Sequence, residues 1–197
     1  MRFTFLITLC LLSFCVSAQK QKAYFASGCF WCVEAIFETI PGVVNATSGY
    51  SGGETENPTY RDICSGLTGH AETVEVTFNE KNVSYETLLE VFFASHDPET
   101  LNRQGPDQGT QYRSAIFYTD VFQKQKAEAY IKQLLAESKF KRITTSVEQM
   151  KVFYPAENYH QDFEKKNPNH PYIQSVSKAR KLNFLKKYNI KNWTIKL

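Results

Sequence analysis

Apolar positions along this chain change their period several times, and each change predicts an element. Lys22 to Ala26 is a short, mostly apolar run that reads as a strand. From Cys29 to Ile40 the spacing becomes helical: Val33, Ile36, Phe37 and Ile40 form one stripe, and Glu34 and Glu38 are expected on the outer face. Pro41-Gly42 stops that helix. Val43 to Gly49 is expected as a second strand, followed by a loop over Gly52 to Pro58. Ala71 to Phe78 alternates apolar and polar, the mark of a strand with one buried face. Ser84 starts a helix that carries Leu88, Val91 and Phe92, and His96-Asp97-Pro98 ends it. Ser114 to Thr119 reads as a strand, Val121 to Lys139 as a helix, Val147 to Phe153 as a last strand and Asn158 to Asn167 as a short helix. The order β-α-β-β-α-β, with an extra helix, predicts an α+β fold: a two-layer, ferredoxin-like sandwich of split β-α-β type with an irregular C-terminal segment. Residues 97–113 break every period. Polar loops of that length inside a compact domain are usually functional.

The ends of the chain depart from this patterning. Arg2 precedes an apolar stretch from Phe3 to Val16, and Val16-Ser17-Ala18 offers small residues for cleavage before Gln19. Residues 1–18 therefore read as a secretory signal peptide, shorter than the ~20 residues a membrane span needs. An exported protein, periplasmic or secreted, is expected, with residues 19–197 as one domain. The formal net charge of +3 gives no sign of nucleic-acid binding. It is unevenly spread: residues 178–197 hold seven basic residues and no acid. This basic tail is expected to be a solvated amphipathic segment with Leu182, Leu185 and Tyr188 as its apolar stripe. Nothing in the sequence points beyond a monomer.

Three of the five cysteines remain once the leader is removed: Cys29, Cys32 and Cys64. An odd number suits a reactive thiol better than a disulfide framework. Cys29 stands where a strand turns into a helix, in Gly28-Cys29-Phe30-Trp31-Cys32. There the free N–H groups and the positive end of the helix dipole are expected to favour its thiolate. Cys32 follows one turn later. Zinc would need four ligands, and only Cys64 and scattered histidines remain, so no metal site is expected. A thioredoxin-like Cys-x-x-C is the competing reading, but Phe30-Trp31 between the cysteines would build an apolar pocket rather than a flat docking surface. Glu72, at a strand start after a glycine-rich loop, reads by itself as a solvated carboxylate.

Five runs together say more than any one. Gly28-Cys29-Phe30-Trp31, Tyr60, Gly69-His70-Ala71-Glu72, Asp107 to Ser114 and Ala156 to Gln161 stand in the order and at the spacing of one family, and nearly the whole chain after the leader resembles the A-type peptide methionine sulfoxide reductases. The resemblance implies Cys29 as nucleophile, Glu72 as proton donor, Tyr60 and Tyr112 as holders of the sulfoxide oxygen and Asp107 as an acid lining the site. It implies Phe30 and Trp31 as the pocket for the substrate methyl group, with Tyr159 as a further polar contact. It also implies an activity: reduction of methionine-S-sulfoxide in oxidised proteins or peptides through a Cys29 sulfenic acid, with no cofactor and with a thioredoxin-like dithiol as external reductant. Many such proteins carry a recycling cysteine in the C-terminal tail, and here no cysteine follows Cys64. Resolution then falls to Cys32, to Cys64 or to an outside thiol. Cys32 is favoured, because residues on adjacent turns can come within the ~4.4–6.8 Å Cα separation of a disulfide.

Overall fold

The computed structural model describes residues 20–188; residues 1–19, which include the expected leader, and the last nine residues lie outside it. In chain order the elements are β1 (Lys20–Ser27), α1 (Phe30–Phe37), β2 (Val43–Ser51), α2 (Tyr60–Cys64), β3 (Ala71–Asn79) and α3 (Tyr85–Ala94). There follow β4 (Arg103–Gln104), β5 (Asp107–Gln108), a 3-10 turn (Thr110–Tyr112), β6 (Ser114–Tyr118), α4 (Val121–Ala136), β7 (Ser146–Gln149) and β8 (Phe153–Pro155). The C-terminal segment holds α5 (Phe163–Lys166), a π-helical turn (Ile173–Ser177) and α6 (Lys178–Lys187). The six-stranded sheet runs β7-β6-β1-β3-β2-β8. Its inner four strands pair antiparallel throughout, with β3 between β1 and β2, which is the expected split β-α-β arrangement.

Alternation along the strands sorts the two faces. Ala23 and Phe25 of β1, Ala46 and Tyr50 of β2, and Val74, Val76 and Phe78 of β3 face the helix layer and form the main core with Val33, Ile36 and Phe37 of α1 and Leu88 and Phe92 of α3. Tyr24, Ala26, Ala71, Ala115 and Phe117 form a smaller cluster on the opposite face. Glu72 falls in the same phase as Val74, so its carboxyl points into the helix layer beside the apolar core rather than into solvent.

Four expectations are corrected here. The single strand over Val147–Phe153 is two short strands on opposite edges, β7 parallel to β6 and β8 antiparallel to β2. The chain crosses between them at Met150–Val152, and Pro155 sits where only an edge strand tolerates it. Glu34 is not on an outer face: α5 covers it, and its carboxylate accepts hydrogen bonds from Ser48 Oγ and from the Asp162 amide at 2.8 Å. Burial pushes that carboxyl up to about 7. The 97–113 segment contains the β4–β5 ribbon and the 3-10 turn. In the tail, Phe184 rather than Leu182 is the buried anchor, stacked on Tyr188 with ring centroids 5.1 Å apart. The larger ring takes the inward position and Leu182 is left half-exposed.

Candidate functional site

β1 ends at Ser27 and pairs antiparallel with β3, so the end of one strand lies beside the start of the other. Gly28 makes the turn into α1 with φ +83°, and a side chain there would collide with Gln104 Cβ at 2.5 Å. Cys29 then occupies the cap position of α1, with φ −53° and ψ 121° and no side-chain cap bond. Its neighbour across the strands is Glu72, whose Oε2 accepts the Phe30 amide at 2.9 Å. Strand pairing and one helix-start hydrogen bond thus bring residues 29 and 72 together.

Glu72 is almost completely buried. Desolvation pushes its carboxyl up to about 8, against the Phe30 bond, which favours the charged form; Asp107 and Cys32 add like-charge repulsion. It therefore keeps its proton through neutral pH. Cys29 and Cys32 are both free and buried. Burial, followed by the bond to Cys32, pushes the Cys29 thiol well above its ordinary value. Cys32 is shifted the other way: the bond from Cys29 brings it down to about 6 against the cost of burial, with the nearby Arg180 guanidinium a smaller cause. The two thiols share one ionisation, and burial of Cys29 opposes the thiolate that its helix-start position favours. The Phe30 N–H at the start of the helix is taken up by Glu72.

Tyr60 and Tyr112 approach from the other side. Tyr60 opens α2, which Thr59 caps: the Thr59 amide bonds Asp62 Oδ2 at 2.9 Å, and the Thr59 hydroxyl accepts the Asp62 amide. Glu157 fixes this entrance by accepting the Tyr60 amide at 2.8 Å and the Tyr50 hydroxyl at 2.9 Å. Burial pushes both the Tyr60 and Tyr112 hydroxyls up, with Glu72 the next cause for each, so two retained O–H groups face the same carboxyl. Behind Cys29, Phe30 is fully buried and packs near Tyr60 and His160. Trp31 lies flat on Phe163 at 3.7 Å, edge-on to Tyr172, and its indole N–H donates to His160 Nδ1 at 3.1 Å. Phe30 is the backing of this wall and Trp31 its accessible part.

Two expected site residues sit further out. Tyr159 is 58% exposed, with its ring on His160, at the rim. Asp107 accepts the Tyr172 hydroxyl at 2.6 Å and lines a cavity of about 360 Å³ together with Cys32 and Arg180. Cys64 is an exposed thiol near Tyr60 and Tyr112, whereas Cys29 is paired directly with Cys32. Sequence reasoning missed Tyr172, which sits against both Cys32 Sγ (3.9 Å) and Asp107, and for which no motif gave a signal. It also missed the work of Glu157 and His160, which stood in a recognised run but were assigned no role.

Comparison with known proteins agrees with this picture. A family profile described as peptide methionine sulfoxide reductase matches residues 21–193. The chain is 54% identical over 163 residues to the peptide methionine sulfoxide reductase MsrA of Ruthia magnifica, covering 83% of this chain and 96% of that one. Among solved structures, Mxr1 from Saccharomyces cerevisiae in reduced form superposes with a TM-score of 0.73 at 34% identity, covering 78% of this chain and 88% of the other. Mxr1 in complex with Trx2 shares the fold at a TM-score of 0.53 and 23% identity, covering 74% and 86%.

Proposed function

This chain belongs to the peptide methionine sulfoxide reductase family, and from that premise we propose how its own residues carry the reaction. It is a thiol-dependent oxidoreductase that reduces methionine sulfoxide. A sulfoxide sulfur accepts a nucleophile, but its oxygen leaves poorly unless it gains a proton. Glu72 supplies that proton, and the retained hydroxyls of Tyr60 and Tyr112 hold the oxygen as charge develops on it. The Cys29 sulfur attacks the sulfoxide sulfur, an S–S bond forms and the protonated oxygen leaves as water. A water molecule then attacks the Cys29 sulfur, the S–S bond breaks, methionine leaves reduced and Cys29 becomes a sulfenic acid. Trp31, backed by Phe30, receives the methyl group. Cys32 then attacks the sulfenic sulfur, releasing water and closing a Cys29–Cys32 disulfide. A thioredoxin-like dithiol reopens it by exchange. The complex of the related Mxr1 with Trx2 supports that class of reductant.

The observation that carries this reading is a buried, proton-retaining carboxyl tied to the first amide of the helix that Cys29 caps. The S-epimer preference follows from the family resemblance. Export, periplasmic or secreted, follows from the apolar leader, and a mature N-terminus at Gln19 would establish it.

The test is single-turnover reduction of the separated S- and R-sulfoxides of an N-blocked methionine, with reduced protein and no added thiol. One equivalent of the S form should be consumed, and none by Cys29→Ser. Loss of neither epimer from protein with titratable thiols would reject the assignment.

A further inference from the structure

The reading above leaves one charged group near the thiols without a task. Arg180 of α6 comes from the tail expected to be solvated, yet it is folded in against the start of α1. Its Nε donates to the Ser95 carbonyl at 2.8 Å and its Nη2 to Ser27 Oγ at 3.1 Å. Its Nη1 lies 3.6 Å from where a Cβ on Gly28 would be, so the guanidinium rests on the backbone just before Cys29. It shares the walls of the 360 Å³ cavity with Cys32, Asp107 and Tyr172. Among the described residues no carboxylate forms an ion pair with it, so its charge is not cancelled at contact distance.

We propose that Arg180 is the positioning residue of the resolving step: held beside Cys32 by Ser27 and Ser95, it keeps Cys32 in the thiolate form that closes the disulfide on oxidised Cys29. This rests on the proposed sulfenic acid at Cys29 and on resolution by Cys32. The step is balanced. The Cys32 thiolate attacks Cys29 sulfur, an S–S bond forms, the S–OH bond breaks, and hydroxide leaves as water after taking a proton. Cys32 is oxidised and Cys29 reduced by equal amounts.

The groups around Cys32 explain why a fixed cation is needed. In the resting enzyme its main support is the Cys29 thiol. Once Cys29 has become a sulfenic acid, that thiol is gone. Glu72 of β3 and Asp107 of the ribbon offer neutral or negative groups, and Tyr172 an un-ionised hydroxyl. His96, next to Arg180, is held neutral by burial, which brings it down to about 3. Lys187 lines the outer part of the same cavity. Arg180 is the cation that is anchored, and a guanidinium cannot lose its charge at any pH the enzyme meets.

The experiment separates the two half-reactions. Methionine released in a single turnover without thiol reports the Cys29 step; loss of free thiols, with dimedone trapping of residual sulfenic acid, reports disulfide closure. Arg180→Gln keeps a hydrogen-bonding group and removes the charge. It should release methionine within about twofold of the wild type. The acid midpoint of its disulfide step should lie about one pH unit above that of the wild type, so that closure well below the midpoint is up to about tenfold slower and the two profiles converge well above it. Arg180→Lys should keep the wild-type profile. An unchanged profile in Arg180→Gln overturns the proposal, as does an Arg180→Lys profile that shifts as if the charge were absent; Arg180→Met, which also removes the charge, takes the place of Arg180→Gln if that variant does not fold. Cys32→Ser run alongside tests the premise: if it still turns over normally with thioredoxin, Cys32 does not resolve the sulfenic acid and the underlying reading fails first.

Discussion

Glu72 keeps its proton because it was carried into the helix layer by strand alternation, where little but the Phe30 amide favours its charged form. The catalytic form is the protonated one, so the Cys29 step should hold steady below about 8. Above that value it should fall about tenfold per pH unit. Glu72→Gln can still accept the Phe30 amide but cannot give a proton to oxygen. It should lower the single-turnover rate by about a hundredfold or more and abolish the alkaline limb. Measurement of methionine release from pH 6 to 10 decides this; a limb that survives in the Gln variant belongs to another group. Stability carries the opposite message. A carboxyl whose folded value lies above its unfolded value of 4.5 binds its proton more tightly in the folded state. Folding stability therefore declines as pH rises from about 4.5 to about 8 and is not regained beyond. Glu72→Gln should melt higher than the wild type at pH 9, and thermal denaturation at pH 5 and pH 9 would show it. A residue that weakens the fold at alkaline pH yet improves the chemistry is what a functional carboxyl looks like in physical terms.

Short elements do the positioning. α2 spans only Tyr60–Cys64, too short to stand without its cap, and its first residue is the hydroxyl donor. Thr59→Ala removes half of the capping box and should cost about 1 kcal/mol. That should appear as a melting point about 2–4 °C lower. It should also lower kcat/KM, because Tyr60 loses its fixed start, while leaving the alkaline limb of Glu72 in place. An unchanged kcat/KM would show that Glu157, which holds the Tyr60 amide, suffices alone. None of α2 was predicted from the pattern, because five residues between two loops give no period to read. The β4–β5 ribbon escaped for the same reason, although it carries Asp107. α1, by contrast, has enough apolar turns to be plain in the sequence. Its wrongly assigned outer face around Glu34 shows where periodicity stops: it cannot know that α5 will return and cover that face.

The C-terminal segment closes the molecule over α1. Phe184 is its buried ring, and Lys181 pairs with Glu164 of α5 to hold the same helix down. Phe184→Ala should destabilise by about 3–5 kcal/mol in urea unfolding. Phe184 lines the cavity that reaches Cys32, so the variant should also alkylate Cys32 faster than the wild type under native conditions. A destabilised variant with unchanged alkylation would show that α6 does not guard that thiol.

Local chemistry was legible in the chain alone. The alternating β3 and the helical stripe of α1 follow from nearest-neighbour sterics and period, which act over a few residues; the motif runs spoke only through the family they resemble. Period sufficed for the split β-α-β core, and the resemblance supplied the candidate site residues. What the tertiary structure alone decided are the states of those groups. It put Glu72 in the dark rather than in water, buried both thiols of the Cys-x-x-C, divided the last strand between two edges and folded Arg180 under Gly28. Burial and Coulomb interactions depend on what arrives from over a hundred residues away, as Arg180 does at Ser27, and no local pattern encodes that distance.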